Sequence, residues 1–143
     1  MIVLDTNVIS ELMRESPDSE VIHWVDSQPA SDLFTTAITI AELLYGISRL
    51  PAGRRRTVLS EVFEEMVSTV FADRVLPFDG AAAAHYAAVV TTRERIGRPI
   101  SMADAQIGAI CRAREATLAT RNTSDFEHVD IAVADPWTSG LDR

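Results

Sequence analysis

Apolar and polar positions along the chain follow two rhythms that alternate from start to finish. Ile2-Val3-Leu4 is an unbroken apolar run of strand length, as in a strand covered on both faces of a parallel sheet. Thr6 and Asn7 are good N-cap residues, and Val8, Ile9, Leu12 and Met13 follow at helical spacing. After Pro17, Asp18 or Ser19 can cap a short helix carrying Val21, Ile22, Trp24 and Val25. Pro29 and Asp32 mark a turn, and Leu33-Phe34-Thr35-Thr36 reads as a second strand. Thr39 is the expected cap of the next helix, whose apolar face is Ile40, Leu43, Leu44 and Ile47, with Pro51 and Gly53 ending it.

Val58, Leu59, Val62, Phe63, Met66, Val67 and Val70 recur at three and four residues, which predicts a long amphipathic helix over 54–70. Arg74 to Pro77 is a brief strand, and Phe78-Asp79 leads into an alanine-rich helix from about Gly80 to Ile96, closed by Gly97 and Pro99. Ser101 caps a helix holding Met102, Ala105, Ile107, Ile110 and Cys111. Ala116 to Thr120 and Ile131 to Val133 read as the last strands. Strands alternating with helices imply an α/β fold, with a short-stranded, mostly parallel central sheet between helical layers. With no internal repeat or linker, the 143 residues are expected to form a single domain over 1–143.

Composition narrows the classes. No apolar run approaches the roughly 20 residues of a membrane span. Asp5 and Glu11 interrupt the opening stretch, which lacks the basic start of a signal peptide, so a cytoplasmic location is expected. Cys111 is the only cysteine, which excludes an intrachain disulfide and a cysteine-based zinc site. The net charge of −8 argues against tight binding to duplex nucleic acid. Yet all 13 basic residues are arginine, and Arg54-Arg55-Arg56 and Arg93, Arg95, Arg98 form local clusters. A guanidinium fork suits phosphate; either cluster is equally compatible with a solvated helix end.

Candidate chemistry lies in the acids. Asp5 ends the first strand, at the strand end where open α/β sheets place their ligands. The alternative is that Asp5 merely caps a helix. Glu42 and Asp104 are each expected in the first turn of a helix, in apolar settings where an unpaired carboxylate is costly to desolvate. Asn122 and Asp125 follow the strand that ends at Thr120. Carboxylates converging in one cleft repel one another unless a cation neutralises them, and hard oxygen donors select Mg²⁺ or Mn²⁺. Such ions activate water and stabilise both oxygens of an in-line phosphodiester displacement. His23, His85 and His128 are scattered without ligand spacing. There is no Gly-rich phosphate loop and no Gly-x-Ser-x-Gly elbow. A haloacid-dehalogenase-like phosphatase would want a second Asp where Asn7 stands.

Leu4-Asp5-Thr6-Asn7-Val8, Ile40 to Gly46, Ala103-Asp104-Ala105, Ala119 to Phe126 and the closing Val133-Ala134-Asp135-Pro136-Trp137 together resemble a PIN-domain protein. More narrowly, they resemble the VapC toxins of the FitB-like branch. The resemblance implies a PIN-like three-layer α/β/α domain and a Mg²⁺- or Mn²⁺-dependent endoribonuclease toxin acting on structured RNA, commonly tRNA or rRNA. It also implies a homodimer, with higher assembly alongside a cognate VapB/FitA-type antitoxin that alone contacts promoter DNA, and no membrane. Carried over by motif, Asp5, Glu42 and Asp104 match the metal-binding acids. Asn122 takes a place often held by Asp, and Asp125 lies three residues later; either completes the site. Thr6, Asn7 and Thr120 are supporting groups. Arg121, Arg98 and Arg54 are candidate RNA contacts, and Leu43, Leu44, Tyr45 and Ile47 a candidate antitoxin dock. An alternative of another class is a PIN module without catalysis that binds its antitoxin as a dimer and tunes promoter occupancy. Asn122 in place of an acid keeps that alternative open.

Overall fold

The computed structural model describes residues 1–138, so the last five residues of the expected domain lie outside the described ones. Five short strands form one sheet: β1 (Ile2–Leu4), β2 (Leu33–Thr36), β3 (Val75–Leu76), β4 (Thr117–Ala119) and β5 (Ala132–Ala134). Their order is β3-β2-β1-β4-β5 and every pairing is parallel, with Ile2 opposite both Leu33 and Thr117. β1 is therefore central, and its carboxyl end opens between those of β2 and β4.

Successive residues of a strand face opposite sides of the sheet. Val3 and Leu118 enter one core with Val89, Ile107, Ile110 and Phe126. Leu4 and Ala119 enter a second with Val8, Ile9, Leu43, Ile47 and Phe63. Two cores on two faces make three layers. The first is covered by α5 (Gly80–Arg95) and α6 (Met102–Arg114), the second by α1 (Thr6–Leu12), α2 (Ser19–Asp26), α3 (Ala37–Ser48) and α4 (Arg54–Thr69). Cys111 is fully buried in the first core. Gly97, with φ +72°, supplies the left-handed turn after α5 that glycine allows cheaply.

Helix caps differ from the expectation at two places. Asp5, not Thr6 or Asn7, caps α1. Thr36, not Thr39, caps α3: its hydroxyl accepts the Thr39 amide, so the helix starts at Ala37 and Glu42 stands in its second turn. Asp18 caps α2. α4 spans the expected residues, yet only Phe63 on it is fully buried, with Leu59, Val62, Met66 and Val67 packed partway and Val58 exposed.

Candidate active site

The site is built around the end of β1. The Asp5 amide continues the ladder to the Ala119 carbonyl at 2.9 Å. Its carboxylate, only 5% exposed, does two jobs at once. Oδ1 accepts the Thr6 amide at 2.8 Å, capping α1, and Oδ2 accepts the Thr120 hydroxyl at 2.8 Å. Thr120 follows β4 and is fully buried; its hydroxyl also accepts from Asn7 Nδ2 at 3.1 Å and from the Asn122 amide at 3.2 Å. Asn7 Oδ1 in turn accepts the Arg121 amide at 3.2 Å. Asp5 thus caps α1 and, from the end of β1, joins the hydrogen-bond network of the residue that follows β4.

On the other side of β1, the Thr6 hydroxyl donates to Glu42 Oε1 at 2.8 Å, which ties the exposed Glu42 to the residue after Asp5. Behind it, the buried hydroxyls of Thr36 and Thr39 bond to each other at 3.2 Å. Asp104 is in the first turn of α6, where the Ser101 hydroxyl accepts its amide at 3.2 Å.

The charges of these acids reach one another. Burial raises the pKa of Asp5 against the bonds from Thr120 and Thr6, and the charges of Glu42 and Asp125 raise it further. Asp104 is pushed up to about 6, first by burial, then by the Asp5 charge, with Asp125 and Glu42 adding to it against Ser101. Asp125, which like Glu42 shifts both, lies in the 3-10 turn Thr123–Phe126; Asn122 precedes that turn and offers its amide to Thr120. Among the described residues, no three His, Cys, Asp or Glu side chains are drawn together tightly enough to hold an ion as they stand. The donor chemistry nonetheless fits a hard divalent cation. The acids supply oxygen only, their mutual repulsion favours a positive charge between them, and no histidine is among the groups that shift them. The Cys111 thiol, held at about 12 by burial and then the Asp5 charge, is neither ligand nor nucleophile.

The sequence matches the PIN domain over residues 2–132. The chain belongs to the PIN-domain family. It is 44% identical over 137 residues to the VapC ribonuclease Y4jK of Sinorhizobium fredii, covering 96% of this chain and 98% of that protein. It is 42% identical over 137 residues to Toxin FitB of Neisseria gonorrhoeae, covering 96% and 99%. Its backbone matches a structure of FitAB bound to an IR36 DNA fragment with a TM-score of 0.89, at 42% identity and 96% coverage of each chain. These likenesses place it in the VapC/FitB branch of the PIN-domain proteins.

Other expected site residues of this PIN domain divide. Leu43 and Ile47 are buried in the second core and offer a partner little surface; Leu44 and Tyr45 are exposed at 46% and 64%. Arg98 pairs with Glu127 at 2.6 Å, and Arg54 is exposed at the start of α4, which carries none of the clustered acids. Arg93, from the same expected phosphate cluster as Arg98, is instead 5% exposed. It donates to three backbone carbonyls, Arg98 at 2.6 Å, Asp125 at 2.8 Å and Glu127 at 3.1 Å. That guanidinium staples the turn that carries Asp125. Its role in the site was not foreseen, although Ala82, Val89 and Arg93 share the buried stripe of α5 at helical spacing.

Proposed function

We propose that this PIN-domain chain is the Mg²⁺- or Mn²⁺-dependent endoribonuclease toxin of a VapBC-type toxin–antitoxin pair, cleaving structured RNA such as tRNA or rRNA. The observation that carries the reading is Asp104, half-buried and pushed up to about 6 by burial together with the charges of Asp5, Asp125 and Glu42. Partly buried acids whose charges also reach one another suit a site whose working state includes a cation. Asp5, Glu42, Asp104 and Asp125 would hold it, and when bound it supplies an activated water and charge stabilisation on the phosphodiester.

The chain's own residues keep that donor set in register. Thr120 and the Thr6 amide hold both oxygens of Asp5, so its carboxylate keeps one orientation. The Thr6 hydroxyl orients Glu42, and Ser101 fixes the start of the helix that presents Asp104. The inert-module alternative rested on Asn122; an acid in the same loop, Asp125, whose charge reaches Asp5 and Asp104, supports the enzyme instead. FitAB, to which the fold is similar, was solved with DNA, and the relatives' names include toxin and ribonuclease. By that likeness the chain works in the cytoplasm as a homodimer, restrained by a FitA/VapB-type antitoxin that alone makes the promoter contact.

The test is cleavage of total tRNA and rRNA by purified, antitoxin-free protein with Mg²⁺, with Mn²⁺ and with EDTA, beside Asp104→Asn. Discrete fragments that require metal and fall by at least roughly a hundredfold in the variant are expected, the scale of losing a charge-stabilising group. Equal cleavage by Asp104→Asn, or cleavage indifferent to EDTA, overturns the reading.

A further inference from the structure

A site lined by four acids, on a chain of net charge −8, repels the polyanion it is proposed to cut. Cations near its mouth therefore carry particular weight. Two of the candidates are occupied: Arg93 by backbone carbonyls, Arg98 by Glu127. Arg121 is different. None of the ion pairs among the described residues engages it, and its side chain is exposed.

Its placement is nonetheless fixed from two sides. Its amide donates to Asn7 Oδ1, and the residue before it, Thr120, donates to Asp5, so its backbone is locked into the hydrogen-bond network of the acids. Its guanidinium carbon lies 5.0 Å from the centroid of the Trp137 ring. Trp137 follows β5; its amide is held by Asp135 Oδ1 at 2.9 Å and its ring packs partway onto the second core. Arginine stacked on an aromatic face keeps the N–H groups at the edge of its plane available, and those edges match a phosphate.

Resting on the nuclease reading above, we propose that Arg121 binds the backbone phosphate of the RNA strand next to the scissile bond, with Trp137 as its positioning residue. The strand would then leave the acids across the β4–β5 side of the sheet edge, not across α3. Contact with the ring restrains the guanidinium, so less of its rotamer freedom is lost when the phosphate arrives.

Binding of a fluorescein-labelled RNA hairpin is measured by anisotropy across a salt series, in an Asp104→Asn background that keeps the RNA intact. Arg121→Ala should weaken binding roughly tenfold and flatten the slope of log affinity against log salt by about one. Arg121→Lys should keep the slope and lose part of the affinity. Trp137→Ala should weaken binding with the slope retained, and add nothing in the Arg121→Ala background. Trp137→Phe, which preserves a ring and the packing, should restore most of the loss. Wild-type affinity and slope in Arg121→Ala overturn the phosphate contact; an equal Trp137→Ala effect with and without Arg121 overturns the positioning role. Cleavage by the parent chain, run in parallel, separates the two ideas, since failure to cut RNA would sink the nuclease reading and leave the binding pattern to be judged alone.

Discussion

The two flanks of Asp5 hold their acids by different means. On the β2 side, Glu42 is carried by a regular helix whose own ladder satisfies its backbone, and short hydroxyl contacts through Thr6, Thr36 and Thr39 suffice to fix it. On the β4 side, Asp125 sits in a 3-10 turn between a strand and a bend, where the carbonyls of residues 125 and 127 have no helix to bond within. The buried Arg93 donates to both of them with one guanidinium, satisfying its own donors and two carbonyls of the turn together. Where the backbone is regular, a hydroxyl fixes an acid; where it is irregular, a buried cation does. Among the described residues Arg93 makes no ion pair, so carbonyls are its direct partners, while its charge also helps to lower the pKa of the nearby Glu127.

The largest effect that distinguishes the flanks is expected from Arg93→Met, which fills the same space and leaves those carbonyls unpaired. It should lower unfolding stability by about 2–4 kcal/mol in urea denaturation, with cleavage falling as the Asp125 turn loosens. A urea midpoint equal to that of the parent would mean that the turn is held by packing and not by the arginine. Thr36→Val is the matching change on the other flank. It removes the α3 cap and should cost about 1–2 kcal/mol, while Leu43 and Ile47 keep the helix docked. Its cleavage rate at saturating RNA should therefore change less than that of the Arg93 variant, and a larger drop would show that the hydroxyls, too, act on the chemistry.

The same contrast explains what could be read from the sequence. The strands were legible because short parallel strands are short runs rich in apolar residues, and Leu4, Leu118 and Val133 announce three of them directly. Asp5, Glu42 and Asp104 were legible because a carboxylate after a strand or within an apolar helix stands out against its neighbours. The caps were misplaced because Thr36 and Thr39 are equally good N-cap residues, and only the backbone decides which hydroxyl receives which amide. The long helix α4 was placed correctly while the depth of its burial was not, since periodicity shows which face is apolar but not what lies against it. The Arg93 staple was hidden for a different reason. An arginine in Thr91-Thr92-Arg93-Glu94-Arg95 looks solvated, and its partners are carbonyls 5, 32 and 34 residues further along, which no side-chain motif records.

Packing sets the β4 flank as well as charge does, and Gly108 isolates that contribution. It lies one helical turn after Asp104 on α6, and a Cβ built there would stand 2.9 Å from Val129 Cγ1 and 3.8 Å from Phe126 Cδ1. Both residues belong to the segment that follows Asp125 closely, and both are buried in the first core. Glycine inside a helix costs about 1 kcal/mol relative to alanine, so Gly108→Ala would stabilise the chain if nothing opposed it. The contact with a β-branched side chain does oppose it, because Val129 has no free torsion that moves Cγ1 away without reorienting its other methyl. Overpacking of this kind costs about 1–3 kcal/mol, and the net expectation is a loss of about 1 kcal/mol. Val129→Ala makes room for the new methyl, so the double variant should be more stable than the sum of the singles by about 1 kcal/mol. A strictly additive pair, or a stabilised Gly108→Ala, would mean that the turn gives way to the helix, leaving Arg93 as the main restraint on Asp125.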